Sequence, residues 1–463
     1  MQSLLLPLLV IVASVALFFF GRQRAIAIAG GRFEALHSNP GYHGIYLAIL
    51  SLLPALLLVI VWLVISRWVG DGYVAARLGE AFSAIPPAEQ NSFLRSARAL
   101  SRGSAIGATT ELHQQAAVLF GQFTDLTTTV ILGTAAVLIA LGVIFGFRTI
   151  ARPLRARQFV ERTVLGFLIA ASGVAIVTTL GIVLSLVFES VRFFQMVPFF
   201  DFLFGTHWSP QSAFEGAGAE ASARNAEVFG AVPVFAGTLL ITLIAIGVAA
   251  PIGLMSAIYL SDYAGPRLRS VAKPLLEILA GIPTVVYGFF AALTIAPFFR
   301  NSGGILGLGV SSESALAAGI VMGIMIIPFV SSLSDDVINA VPQSLRDGSA
   351  GLGATKSETI RRVILPAALP GIVSALMLAI SRAIGETMIV VMAAGLAANL
   401  TANPLEAVTT VTVQIVSLLV GDQEFDSAKT LAAFALGLVL FCVTLLLNVI
   451  ALQVIRKYQE QYD

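Results

Sequence analysis

Nine long apolar runs constrain this 463-residue chain more than any other feature. They lie at 3–20, 45–66, 127–147, 163–188, 235–260, 276–297, 314–333, 367–394 and 430–454, each long enough to cross about 30 Å of hydrocarbon as a helix. Backbone inside lipid must satisfy its own N–H and C=O groups, and runs of this length do so as helices. The expectation is an all-α integral membrane protein with about nine transmembrane helices. Composition agrees: 57% of residues are hydrophobic, 11% are charged and the mean hydropathy is +0.91, well beyond what a water-soluble core requires.

The first run lacks a basic segment before it, and Gly21-Arg22-Gln23-Arg24 stands where a small-residue cleavage site would be. It is therefore expected to be a retained span rather than a signal peptide. An odd number of spans puts the termini on opposite sides. Lys and Arg that flank spans stay on the cytoplasmic side. With the N-terminus outside, 17 of the 27 basic residues fall inside, including Arg148, Arg152, Arg155, Arg157 and Arg162 in one stretch and Arg346, Lys356, Arg361 and Arg362 in another. This predicts a multi-pass protein of the inner (plasma) membrane with a periplasmic N-terminus and a cytoplasmic C-terminus.

Two parts separate at the basic stretch Arg148–Arg162. Residues 1–160 hold three spans and a polar insert at 69–125, whose Ala, Ser, Arg and Glu content suggests short helices outside the membrane. Residues 161–463 hold six spans joined mostly by short connections. Between the first two of these, 189–234 carries the aromatic stretch Phe202 to Pro210, expected to pack at the interface, and Gly303, Gly304, Gly307 and Gly309 suggest a flexible loop. A net charge of +1 gives no case for nucleic acid. The lone Cys442 sits in the last span and cannot form an intrachain disulfide. His37, His43, His113 and His207 are never at ligand spacing, so no metal is expected.

The most informative segment is 341–366. Pro342 suits a helix start, Gly351 and Gly353 supply a C-terminal stop, and Thr355 with Glu358 forms a capping box that opens a second helix. Two short helices would meet at a glycine corner. Between two spans, such an element is either a projecting docking knob or an amphipathic connector whose Arg361 and Arg362 lie on anionic headgroups. The run Gly353-Ala354-Thr355-Lys356-Ser357 invites comparison with a phosphate-binding loop, but the glycine-to-lysine spacing is wrong and no strand precedes it.

This segment resembles the E-A-A-x3-G-x9-I-x-L-P signature of binding-protein-dependent importer permeases, with Asp347, Gly348 and Ser349 in place of E-A-A, then Gly353, then Val363, Leu365 and Pro366. Gly237 to Thr242, Ala280 to Gly288 and Ser381 to Thr387 are similar to the phosphate permeases among them. The resemblance covers about 161–463 and implies a six-span core of the type-1 permease kind. It further implies that the 341–366 loop inserts into a separate ATPase, that a second permease of similar core completes the pathway, and that two ATPase copies and an extracytoplasmic phosphate-binding protein complete the assembly. ATP and Mg would then sit on the ATPase. This chain would bind no cofactor and catalyse no reaction, although lipid surrounds it.

Arg382 and Glu386 are the candidate pathway residues. Four apart in an apolar run, they would share one helix face, where a lone charge costs roughly 2.5–3.5 kcal/mol by insertion scales. Either they pair to hold helices together, or Arg382 presents its guanidinium fork to phosphate oxygens while Glu386 tempers its charge. Tyr287 is a candidate pore-facing hydroxyl. Gly281 and Pro283 weaken the sixth span, either to line a cavity or, with Gly288 on the same face, to pack closely. Glu277, Asp335 and Asp336 fall at cytoplasmic span ends, where solvated or interfacial roles are expected. The competing functions are permeation of another oxyanion, such as phosphonate or phosphite, and transport or scaffolding without an ATPase; the docking signature argues against the latter.

Overall fold

The computed structural model describes residues 2–30, 33–104, 110–212, 228–305, 307, 309–420 and 427–458. Among these residues there are helices and no strands, apart from an isolated bridge between Trp208 and Phe229. Eight helices are long and apolar enough to cross a membrane. A ninth crossing exists only if a bent pair is counted as one span.

The chain divides into two compact units, 1–177 and 178–463. The division lies inside the helix Ala156–Met196, downstream of the basic stretch at which the sequence suggests a boundary. In the first unit, α1 (Gln2–Ala29), α2 (Pro40–Leu78) and α5 (Glu111–Thr149) are the long helices, with α3 (Glu80–Ser83) and α4 (Pro87–Ser101) between the last two. Two corrections to the 69–125 insert follow. Much of it prolongs α2 and α5, and only α3 and α4 are the expected short helices. These helices meet through small residues: a Cβ built on Gly44 would lie 2.5 Å from Phe18 O, and one on Gly142 only 2.5 Å from Ser51 Cα. Lipid tails are as apolar as Leu, so helices in a membrane gain from such close approach rather than from burial as such.

The helix Ala156–Met196 is α6, and α7 is Phe199–Phe204. Phe202 and Trp208 are buried in an aromatic cluster with Phe193 and Phe229, so the aromatic stretch does pack. Residues 213–227 of the segment lie outside the described residues. Next come α8 (Val232–Ile258), α9 (Pro266–Ala280), α10 (Thr284–Phe290) and α11 (Ala296–Ile305). The core of the second unit is α8 against α12 (Ala315–Ala340). Gly319 and Gly323 sit on the touching face of α12, where added Cβ atoms would lie 2.7 Å from Ile244 Cβ and 2.8 Å from Val248 Cβ. Gly253 on α8 returns the arrangement against Val330.

Two expected spans are broken. The run at 276–297 is not one helix: α9 ends at Ala280, the chain bends by 88°, and α10 starts at Thr284. Pro283 explains the bend, because it has no N–H to donate and pushes Ile282 before it away from the helical region; Pro283 itself is extended, at φ −56° and ψ 135°. The bend also removes Gly281 and Gly288 from a common face. Gly288 alone has a packing reason, its Cβ position lying 2.7 Å from Met392 Sδ. The run at 367–394 likewise stops at Ile384, the end of α15 (Leu365–Ile384), and resumes as α16 (Met388–Ala393). The remaining helices are α13 (Gln343–Gly351), α14 (Lys356–Thr359), α17 (Val411–Leu419) and α18 (Ala428–Tyr458).

Candidate functional site

The 341–366 segment folds as a knob. Pro342 precedes α13, which ends at Gly351, and Gly353 turns the chain with φ +82°, a conformation L side chains rarely adopt. Both halves of the capping box are present: Glu358 N donates to Thr355 Oγ1 at 3.3 Å and Thr355 N donates to Glu358 Oε2 at 2.9 Å. The second helix is not short, however. From α14 it continues through a π turn at Ile360–Ile364 directly into α15, so that 356–384 is a single 29-residue rod. Leu365 and Pro366, expected in the loop, are the first residues of α15. Pro366 has no N–H to give to the helical ladder, and it follows directly on the π turn, where that ladder changes register.

The knob is fastened from beneath. Val341, Ile360 and Ile364 are buried with Ala257, Ile338 and Ala368, and Leu345 packs against them. Arg346 forms an ion pair with the buried Asp262, at the end of the helix leading from α8, and donates from Nη2 to Ile338 O at 2.9 Å. Ser349 and Thr359 share a hydroxyl hydrogen bond of 2.9 Å across the corner. What the knob presents outward is Asp347, oriented by Gln343 Nε2 at 3.0 Å, together with Gly348 and Leu352, the last 91% exposed. A rigid base under an exposed acidic, small and apolar tip is a shape for docking.

A second anchor lies beside it. Asp335 on α12 is 2% exposed. It accepts from Arg269 Nη2 at 3.2 and 3.1 Å, from Lys273 Nζ at 2.9 Å and from Asn339 Nδ2 at 2.8 Å. Lys273 also reaches Asp336 at 3.0 Å. These contacts clamp α9 onto α12, while Leu268, Val271, Leu275 and Ile278 line the exposed side of α9. The carboxylate pair at 335–336 is thus bridging rather than merely solvated. From the sequence the bases on α9 and the acids on α12 were visible, but not their pairing across more than 60 positions.

At the other end of the rod, Arg382 and Glu386 do not share a helix face. Glu386 lies beyond the end of α15 and is 8% exposed. Its Oε1 accepts from Met388 N at 3.0 Å and Ile389 N at 3.4 Å, capping α16, while Thr412 Oγ1 donates to its carbonyl at 2.9 Å. This cap is the physical reason the helix breaks: a carboxylate that satisfies the free N–H groups of a new helix competes with continuation of the old one. Arg382 is on the last turn of α15, exposed, with its guanidinium carbon 6.0 Å from the centre of the Phe329 ring. Among the described residues no ion pair joins the two. Tyr287 is buried, and its hydroxyl donates to Leu279 O at 2.9 Å, tying α10 back to the end of α9.

On α17, the buried Gln414 accepts from Trp208 Nε1 at its Oε1 at 2.9 Å, and its Nε2 donates to Leu396 O at 2.9 Å. Hydrogen bonds from Thr401 and Asn403 to Glu406 hold that carboxyl below its ordinary range. No group of three or more His, Cys, Asp or Glu among the described residues could hold a metal.

Eight helices long and apolar enough to cross a membrane, with a rigid two-helix knob at the foot of one of them, define a multi-span membrane protein. The family model described as phosphate ATP-binding cassette transporter matches residues 7–178, and that of the binding-protein-dependent transport system inner membrane component matches 249–460. The phosphate transport system permease protein PstC of Mesorhizobium japonicum is 31% identical over 270 residues, 54% of this chain and 81% of that protein. PstC 1 of Mycobacterium tuberculosis is 32% identical over 277 residues, 55% and 81% of the two chains. The probable ABC transporter permease protein YqgH of Bacillus subtilis is 32% identical over 221 residues, 47% and 69%. A solved MetNI methionine ABC transporter in an inward-facing form is 18% identical over 50% of this chain and 95% of its own, with a TM-score of 0.37. The chain belongs to the phosphate-transport permeases of the binding-protein-dependent ABC importers, multi-pass proteins of the inner membrane.

Proposed function

We propose that this chain forms half of the pathway of an ATP-driven phosphate importer and that the 356–384 rod transmits the drive. The observation that carries the reading is continuity. Val363, Leu365 and Pro366 of the coupling signature share one continuous helix of 29 residues with Arg382, roughly 40 Å long at the usual rise, and Asp347, Gly348 and Ser349 on α13 are tied to it across the Gly353 corner by the Ser349–Thr359 hydrogen bond. A displacement of the knob therefore reaches Arg382 as a rigid-body movement, with the Gly385–Thr387 corner free to act as the hinge.

In this reading Asp347, Gly348, Ser349 and Gly353 enter a groove of a partner ATPase, which binds and hydrolyses ATP with Mg. A second permease of similar core supplies the other half of the pathway, and an extracytoplasmic binding protein delivers phosphate. The knob then faces the cytoplasm, with the N-terminus outside. Arg382 supplies a planar, permanently charged fork suited to a tetrahedral oxyanion. Its support on the Phe329 ring leaves the N–H edge available, and Glu386, committed to capping α16, acts on Arg382 only through the position of the corner.

The test is ATP-dependent uptake of radiolabelled phosphate into vesicles carrying the full assembly, with phosphite and methylphosphonate as competitors. Uptake lost in Arg382→Gln, with the ATPase still co-purifying, is expected. Full uptake in that variant would remove Arg382 from the pathway, and stronger competition by phosphite than by phosphate itself would reassign the substrate.

A further inference from the structure

The first unit carries a groove that the importer function does not use. It is about 630 Å³ in volume and lies between α2, α4 and α5, within the usual size range of small-molecule sites. Its two ends differ in chemistry. At one, Val59, Leu63, Ile131 and Leu132 continue the apolar runs of α2 and α5; at the other stand Arg67, Arg98 and Arg102.

The donors are not equivalent. Arg98 is committed, ion-paired with Asp71 and lying over the Phe120 ring at 5.1 Å. The hydroxyls of Ser101, Thr124 and Thr127 donate to carbonyls of their own helices. Arg67 and Arg102 are exposed, and among the described residues neither has a carboxylate partner. Asp125 is the one acid on the lining, so the groove is net positive. Two free guanidinium forks at the point where α2 leaves its apolar run suit an oxyanion, and the apolar end suits chains attached to it. Trp62 lines the boundary between the two, where amphipathic rings settle at headgroup level.

We propose that this groove binds an anionic glycerophospholipid, with Arg67 and Arg102 on the headgroup phosphate and the acyl chains along Val59, Leu63, Ile131 and Leu132. Free phosphate shares the headgroup chemistry but leaves the apolar end unexplained. A zwitterionic lipid meets the same arginines with less net attraction.

The experiment uses the full chain in phosphatidylcholine nanodiscs, in a Trp68→Phe, Trp208→Phe background so that Trp62 is the fluorophore. Brominated phosphatidylglycerol should quench Trp62 at low mole fraction, while brominated phosphatidylcholine quenches only in proportion to its abundance. A basic residue near an anionic lipid surface contributes roughly fivefold in affinity, so Arg67→Gln with Arg102→Gln should raise the half-quenching fraction about twenty-five-fold. Arg102→Gln alone should raise it about fivefold and stands in if the double variant does not fold. Equal quenching by both lipids with no effect of either variant overturns the proposal. So does displacement of phosphatidylglycerol by millimolar inorganic phosphate, which would make the groove a free-anion site, or an absence of quenching by any lipid, which would mean that protein covers it.

Discussion

Lys273 on α9 and Asp335 on α12 are joined by a 2.9 Å charged hydrogen bond in which the carboxylate is buried and the ammonium only partly so. Asp335 also holds Arg269, so one buried acid fixes two bases of a helix whose other side, at Leu268, Val271, Leu275 and Ile278, is exposed among the described residues. Replacing Asp335 by Ala removes both pairs. The bases, about a third exposed, regain water, so the loss should fall below the 3–5 kcal/mol typical of a broken buried pair, at about 2 kcal/mol. The expected outcomes are a lower melting temperature for the solubilised protein and faster trypsin cleavage at Arg267 and Arg269, Lys273 being protected by Pro274 after it. Asp336→Ala, at the exposed neighbour, should change neither by much; equal effects from the two variants would deny Asp335 its anchoring role.

Glu386 should tolerate Gln better than Ala. A Gln side chain still offers an oxygen to Met388 N and Ile389 N, whereas Ala leaves both without their cap, at a cost of about 1 kcal/mol or somewhat more. Glu386→Gln is expected to keep most phosphate uptake and Glu386→Ala to lose assembly or uptake. Loss of uptake in both, with normal assembly, would instead indicate that the negative charge itself acts on the anion.

The knob's corner depends on Gly353 at φ +82° and on the Thr355 cap. Gly353→Ala should cost about 1–2 kcal/mol through left-handed strain, and Thr355→Ala about 1 kcal/mol through the lost cap. Neither position touches the lower core of α15. Both variants should therefore insert normally yet show weaker retention of the ATPase and less phosphate moved per ATP hydrolysed. Unchanged ATPase retention and coupling in both would refute the docking role of this corner.

Packing of α8 on α12 rests on the glycines. In Gly323→Leu the first carbon alone would stand 2.8 Å from Val248 Cβ and 2.9 Å from Ala245 O, so the helices must separate, at about 1–3 kcal/mol or more. Gly247→Leu, at a glycine with open space around it, is the matched control. Thermal unfolding in detergent should distinguish them by several degrees.

Much of the fold was legible. Span number, helical class and the capped knob follow from run length and from local signals such as Pro342, Gly353 and the Thr355–Glu358 box, which act over three or four residues. The role of Gly319 and Gly323 became visible only with the neighbouring helix, against whose Ile244 and Val248 they pack. What misled was the assumption that an apolar run is one straight helix. Pro283 and the Glu386 cap each override that, and with the second break went the i, i+4 geometry expected of Arg382 and Glu386.

Apolar run length and the short-range caps, which act along a single helix, were determined by the sequence by itself: a membrane chain, all helical, with a capped corner between its seventh and eighth runs. Only the tertiary structure decided which charges meet. Asp262 with Arg346, and Asp335 with Arg269 and Lys273, are each separated by more than 60 positions. Their pairing depends on how α8, α9 and α12 pack. The same is true of the groove at Arg67 and Arg102, whose walls come from three helices. Electrostatic contact falls off over a few ångströms, and no pattern along the chain encodes that distance.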